Sequence, residues 1–209
     1  MRYKDFKFKV QLLNFKHTGL FPEQAVNWDL LTDVIKNTNR PLKVLNLFAY
    51  TGAMSVVCSA AGANVTHVDA AKSMIEFAKN NAELNSVSNI RFIIDDCKKF
   101  VEREIKRGNT YDIILMDPPS FGRGPNNETW KLEDDLFDFV TLTKKVLSEK
   151  PVLVLINSYT TGLQPTVMSN ILNTVFTQNG KTESYELCIP TEEKNIFLPC
   201  GCSAVKYFD

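Results

Sequence analysis

The feature that most constrains this chain is a regular alternation, from residue 43 onward, of short unbroken apolar runs with longer stretches of helical spacing. KVLNLF reads as a strand and GAMSVVCSAAG as a helix that Gly62 can stop; NVTHVD is the second strand. In AKSMIEFAKNNAELN, Met74, Ile75, Ala78, Ala82 and Leu84 mark one apolar helix face. IRFIID is a third strand, and CKKFVEREIKRG a helix ending in basic residues and a glycine. YDIILM is the fourth strand; after a long loop, DDLFDFVTLTKKVL is a helix and PVLVLIN the fifth strand. Thr166 to Gln178 is another helix, and KTESYELCIP and GCSAVKYF are two final strands. Strands apolar on both faces and separated by helices predict an α/β fold whose seven-stranded, mostly parallel sheet is covered on both sides. The last two strands share only a short link, so at least one pairs antiparallel.

The first forty residues break this rhythm. FKFKVQLL is strand-like, HTGLFPEQAVNW loop-like and DLLTDVIKNT a short helix, which together form an N-terminal extension (1–40) of a single domain whose main body is 41–209. A chain of 209 residues is within the size of one self-supporting core. Its 24 basic and 24 acidic side chains cancel, so long-range attraction to nucleic acid or an anionic membrane is not written into the net charge. No apolar run is long enough to span a membrane, and MRYKDFKFKV lacks the apolar core of an export signal, which predicts a cytoplasmic protein. The five cysteines (58, 97, 188, 200, 202) are scattered and odd in number, the pattern of reduced thiols. Cys200-Gly-Cys202 has no second cluster of Cys or His beside it, so no metal site is expected. No signal of oligomeric state is legible.

Open α/β sheets bind ligands beyond the carboxyl ends of their strands. The first strand ends in NLFAYTG, a tight turn at Gly52 that opens a helix with unpaired N–H groups. One glycine falls short of GxGxxG, which disfavours a dinucleotide. The second strand ends in Asp69, suited either to ribose hydroxyls or to capping the helix AAKSMIEF. The third ends in Asp95-Asp96, one for an adenine amino group and one for a helix cap, with spacing favouring Asp96 for the ligand. The fourth ends in Asp117.

A turn followed by three acids on successive strand ends resembles a known family. NLFAYTG, VDAAKSMIEFAKNNAELN, FIIDDCKKFV and ILMDPPSF are similar to the four successive motifs of class I S-adenosylmethionine-dependent methyltransferases. More narrowly they resemble the ribosomal RNA large-subunit methyltransferases that modify cytosine C5 or guanine, as do HTGLFPEQAVNW and DPPSFGRGPNNETWKLEDDL. The resemblance implies a doubly wound, Rossmann-like methyltransferase fold, S-adenosyl-L-methionine as cofactor with S-adenosyl-L-homocysteine as product, and RNA as partner. It implies that Asn46, Ala49, Tyr50, Thr51, Gly52, Ala70 and Cys97 are among the cofactor-binding residues, that Asp69 holds its ribose and Asp96 its adenine amino group, and that Asp117 faces the transfer centre. The segment before the sheet would fold over the cofactor through Phe21, Pro22, Glu23 and Gln24.

With that implied role, the two prolines after Asp117 acquire a reason. Pro118 and Pro119 fix two torsions and remove two N–H donors, leaving carbonyls and the Asp117 carboxylate as an acceptor-only edge for an amino group while Phe121 stacks on a base. Methylation of cytosine C5 needs a cysteine thiolate after the fourth or fifth strand; DPPSF and INSYTTG contain none. A nitrogen acceptor, exocyclic or in a ring, is therefore favoured, with Asn157 helping Asp117 orient it. Arg123, Trp130 and Lys131 in the following loop suit gripping a phosphate and stacking a base, or else a solvated loop with Trp130 tucked onto the core. Neither His17 nor His67 is expected to be catalytic. A small-molecule or protein acceptor, cytosine C5, and a non-catalytic cofactor-binding module are the alternatives.

Overall fold

The computed structural model of the chain describes residues 1–11, 18–123 and 129–209. It is an α/β fold with a seven-stranded, mostly parallel sheet, as the alternation of the sequence requires. The chain divides into two compact units, Met1–Asp95 and Asp96–Asp209.

In the first unit the strands β1 (Arg2–Tyr3) and β2 (Phe6–Lys7) form a small antiparallel pair. Helix α1 (Ala25–Asn37) leads to β3 (Lys43–Leu47), α2 (Ala53–Ala60), β4 (Asn64–Asp69), α3 (Lys72–Leu84) and β5 (Ile90–Ile94). β3 pairs β4 and β4 pairs β5, both parallel. Val44, Leu45 and Leu47 are fully buried, as are Trp28 and Leu31 of α1 and Val56 and Val57 of α2. At roughly 1.5–3 kcal/mol for each large apolar side chain removed from water, this packing holds the unit together.

Four expectations fail here. The strand expected over FKFKVQLL is confined to Phe6–Lys7, and Leu12 and Leu13 lie outside the described residues, as does His17. The loop expected through Trp28 is helical from Ala25, because a 3-10 turn at Pro22–Gln24 feeds α1 and proline is at home in a first turn. Helix α3 buries Ile75, Phe77, Ala78, Asn81 and Ala82, whereas Leu84 is exposed and Met74 half-buried, so its inward face is rotated from the expected one. At the third strand end, the cap belongs to Asp96 and not to its neighbour, which follows from its place directly before the first helical residue of the second unit.

That unit begins with α4 (Cys97–Arg107), whose Lys99 N–H the Asp96 carboxylate accepts at 2.9 Å; the helix ends at Gly108 in the left-handed region, φ 68°. Then come β6 (Ile113–Met116), a short hairpin of β7 (Phe121–Arg123) and β8 (Thr129–Lys131), α5 (Leu132–Thr143), β9 (Leu153–Ser158), α6 (Pro165–Val175), β10 (Thr182–Pro190) and β11 (Phe197–Tyr207). β6 and β9 are parallel, and β11 pairs antiparallel with both β9 and β10, as their short link demands. Every residue of β6 and β9 is buried, the condition for a strand covered on both faces.

The β7–β8 hairpin stands in what the sequence suggested was loop, since three-residue strands carry no readable alternation. α5 begins two residues earlier than expected and passes at Lys144–Val146 into a 3-10 turn. β11 starts at Phe197, ahead of the expected Gly201. Residues 197–201 pair with β10 alone, which leaves one side of the strand free to accommodate Pro199.

Candidate functional site

In the first unit the turn after β3 is held under strain. Phe48 (φ 54°) and Tyr50 (φ 49°) adopt left-handed conformations that side chains disfavour, and Gly52 (φ 84°) completes the turn into α2. A Cβ on Gly52 would lie 2.8 Å from Ala78 Cβ, so only glycine lets α3 come this close. Surrounding bonds over-determine the turn. Thr51 donates its hydroxyl to the Gly19 carbonyl at 2.6 Å, and Asn81 Nδ2 donates to the Thr51 carbonyl at 2.9 Å. The Asn81 side-chain oxygen, Oδ1, in turn accepts the Lys9 N–H at 2.9 Å.

The Asp69 carboxylate lies at the end of β4 and clasps this turn. Its Oδ2 accepts the Tyr50 N–H and its Oδ1 the Ala71 N–H, each at 2.9 Å. It is not the N-cap of α3; that position is Ala71, which makes no side-chain cap. Burial pushes the Asp69 carboxyl above its ordinary range, and the two N–H groups counter only part of the shift. Phe21 is half-buried with its ring 5.5 Å from that of Tyr50, so the segment before the sheet packs on this turn.

The other residues implied for the cofactor fall into two groups. Ala70 is exposed beside Asp69. Asn46, Ala49, Thr51, Glu23 and Gln24 are buried. Asn46 Nδ2 donates to Ser55 Oγ at 2.9 Å, and Ser55 Oγ is 3.0 Å from His67 Nδ1; this polar chain ties β3, α2 and β4 together behind the turn. Burial pulls His67 down from 6.5 to about 3, so it stays neutral, in keeping with a non-catalytic role.

In the second unit, β6 ends at the half-buried Asp117, followed by the buried Pro118 and the exposed Pro119. The Trp130 indole N–H donates to the Pro119 carbonyl at 2.7 Å, and its ring packs edge-on against Phe139 with centroids 5.5 Å apart. The tucked arrangement of Trp130 is thus the observed one, and the expected row of open carbonyls loses one member to the indole. Phe121 on β7 is 54% exposed, its ring available. Arg123 also lies on β7. Lys131 is exposed, but its ammonium is 3.8 Å from Asp134, and the first turn of α5 is acidic (Glu133, Asp134, Asp135), an unfavourable setting for a phosphate. Asn157 is fully buried and accepts the Ser203 hydroxyl at 2.7 Å, tying β9 to β11; it is not set out toward an acceptor as expected. Cys97 is buried at the start of α4.

The sequence reading missed two features of this unit. Thr160 donates its hydroxyl to Ser120 Oγ at 2.6 Å, joining the turn after β6 to the turn after β9. The Tyr159 ring lies against Gly201, where a Cβ would be 2.8 Å from Tyr159 Cδ1. No local pattern reveals a contact between residues forty positions apart.

Residues 3–162 match the family described as S-adenosylmethionine-dependent methyltransferase. The chain belongs to that family. It is 33% identical over 156 residues to a protein of Pseudoalteromonas translucida named ribosomal RNA large subunit methyltransferase K/L, an alignment covering 73% of this chain and 21% of the relative. A protein of the same name from Shewanella frigidimarina is 35% identical over 156 residues, again covering 73% and 21%. The chain therefore spans about a fifth of the length of these curated relatives. The crystal structure of the SAM-dependent methyltransferase from Agrobacterium tumefaciens is 38% identical with a TM-score of 0.93, covering 98% of this chain and 68% of that chain. A further structure, of a methyltransferase complexed with SAH, is 25% identical with a TM-score of 0.74, covering 95% and 53%.

The first unit suits the family's cofactor on its own chemistry. Each Asp69 oxygen receives one N–H and keeps a lone pair for a hydroxyl, at the edge of the turn that Gly52 closes against α3. Among the described residues no three His, Cys, Asp or Glu gather to hold a metal, and no helix is long and apolar enough to cross a membrane.

Proposed function

We propose that this chain methylates a nitrogen of a base in ribosomal or other structured RNA, with S-adenosylmethionine as donor, in the cytoplasm. The observation that carries the acceptor assignment is the built turn after β6, where Pro118 and Pro119 remove two donors, Trp130 locks the Pro119 carbonyl and Thr160 locks Ser120. The names of the relatives support RNA.

Asp69 takes the ribose hydroxyls, and Asp96, whose Oδ1 caps α4, offers its other oxygen to the adenine amino group. The strained turn from Ala49 to Gly52 passes beside the methionine part, and the N-terminal extension covers it through Phe21. Bound S-adenosylmethionine supplies an electrophilic methyl group. Asp117 accepts a hydrogen bond from the acceptor's amino group and holds its nitrogen in line, and positioning of this kind accounts for much of the rate in such transfers. Phe121 stacks on the acceptor base. The proton can leave after transfer, so no strong base is needed.

Cytosine C5 is disfavoured on the chemistry of the thiols. Cys202, nearest in the ladder to the end of β9, is buried, donates to the Leu163 carbonyl at 3.2 Å and is pushed up by burial, the opposite of a thiolate nucleophile. Burial drives Cys58 up to about 12.

The test is a mass-spectrometric inventory of modified nucleosides in cells with and without the protein, paired with labelled cofactor in vitro. One N-methylated nucleoside should disappear with the protein, and Asp117→Ala should abolish labelling while cofactor affinity is kept. Label on pyrimidine C5, or on protein or a small molecule with none on RNA, refutes the assignment.

A further inference from the structure

The parallel ladder of β6 and β9 pairs residues forty apart, from Ile113 with Leu153 to Met116 with Ile156. Beyond the strand ends the same offset persists, because Ser120 is bonded to Thr160. The segments after β6 and β9 thus leave the sheet side by side, the turn Asp117–Ser120 joined to the turn after Ser158. On its other flank β9 pairs antiparallel with β11, Ser158 opposite Cys202, which brings the next residue, Tyr159, opposite Gly201.

Alternation along a strand gives Asn157 and Tyr159 the same facing. Asn157 is within the ladder and fully buried on Ser203; Tyr159 is one step past the last paired residue and is half-buried. Its ring is placed and not merely exposed. A Cβ on Gly201 would lie 2.8 and 3.0 Å from Tyr159 Cδ1 and Cε1 and 2.7 Å from the Ser158 carbonyl. Gly201 has no positive φ to justify glycine, so the missing side chain serves the close approach of the Ser158 carbonyl and of the Tyr159 ring together. The turn is also clamped from within, since Thr160 N–H donates to Ser158 Oγ at 3.2 Å while its hydroxyl holds Ser120.

We propose that Tyr159, seated on Gly201 and flanked by the Asp117–Ser120 turn, is an acceptor-binding residue that packs its ring against the planar base to be methylated. Aromatic rings on clamped turns bind unstacked RNA bases by surface alone, and the pair Thr160–Ser120 sets the ring's distance from the acceptor edge. This takes for Tyr159 the acceptor contact that burial denies to Asn157. It rests on the reading of this chain as an RNA methyltransferase.

The experiment measures labelled methyl transfer to ribosomal RNA isolated from cells lacking the protein, together with cofactor affinity by calorimetry, for the wild type, Tyr159→Phe, Tyr159→Ala and Gly201→Ala. Tyr159→Ala should raise KM for RNA by roughly tenfold or more, the scale of one lost base-stacking contact, with cofactor affinity unchanged. Tyr159→Phe should behave as wild type, because the ring and not the hydroxyl does the binding. Gly201→Ala should move KM the same way as Tyr159→Ala. Wild-type KM in Tyr159→Ala, or an equal defect in Tyr159→Phe, overturns the proposal. A wild-type protein that binds cofactor but labels no RNA removes the RNA reading itself, and this inference with it.

Discussion

The Asp69 carboxylate accepts the backbone N–H of Tyr50 at 2.9 Å across nineteen residues of sequence, and so holds a strained turn with the group assigned to the cofactor's ribose. On the function proposed above, support of the turn and recognition of the ligand depend on one side chain and on its ionisation.

Because burial raises the Asp69 pKa, the folded protein takes up this proton before an ordinary aspartate would. The sign is opposite for stability and for binding. A raised folded pKa makes the contribution of Asp69 to stability greatest below its unfolded value of 3.8, and that contribution is lost as pH rises through the folded pKa. With the proposed ribose contact made by the carboxylate, cofactor binding should weaken as pH falls, beginning above the usual carboxylate range. Calorimetric titrations across acidic pH should show this loss in the wild type and not in Asp69→Asn, whose affinity is already lower by about ten- to a hundredfold.

Gly52→Ala should destabilise the fold by about 2–3 kcal/mol, from a left-handed backbone at φ 84° and a Cβ 2.8 Å from Ala78 Cβ. Urea denaturation followed by circular dichroism measures it. A loss below about 0.5 kcal/mol would mean that α3 yields easily and that the close approach is not required.

His67 carries its own pH signature. Burial lowers its pKa from 6.5 to about 3, so below pH 6.5 the unfolded chain binds a proton the folded chain refuses. Its stabilising contribution is complete above pH 6.5 and drains away as pH falls toward about 3, with a slope of at most about 1.4 kcal/mol per pH unit. His67→Phe should flatten the dependence of the urea midpoint on pH between about 7 and 5. An unchanged slope assigns the effect elsewhere.

Trp130→Phe removes the donor to the Pro119 carbonyl and keeps the aromatic packing on Phe139. The expected cost is about 1 kcal/mol of stability, with turnover reduced and cofactor affinity intact. Steady-state kinetics beside calorimetry separates the two effects. Equal losses in both would place Trp130 on the cofactor side.

Much of the fold was legible because its strands announce themselves locally. β4 occupies the six residues NVTHVD that the sequence marked, and α4 ends at Gly108 as its basic last turn implied. Elements without a periodic signal were missed: the three-residue strands of the β7–β8 hairpin, and the first turn of α1, Ala25–Trp28, where Pro22 suggested a loop. At the strand ends residue type was readable but assignment was not. Asp95 and Asp96 are alike in sequence, and only backbone geometry gives the α4 cap to Asp96. Asn157 looked available at a strand end and is buried on Ser203.

By itself the sequence determined the order of strands and helices and the polar residue closing each strand, since apolar runs and helical spacing act over a few neighbouring residues. Tertiary structure alone decided which of those polar groups face outward and which are consumed, because bonds such as Thr160 to Ser120 and contacts such as Tyr159 on Gly201 join segments that no local pattern relates. The physical reason is range: burial and hydrogen bonding are settled by what packs nearby in space, and the chain brings those partners together only on folding.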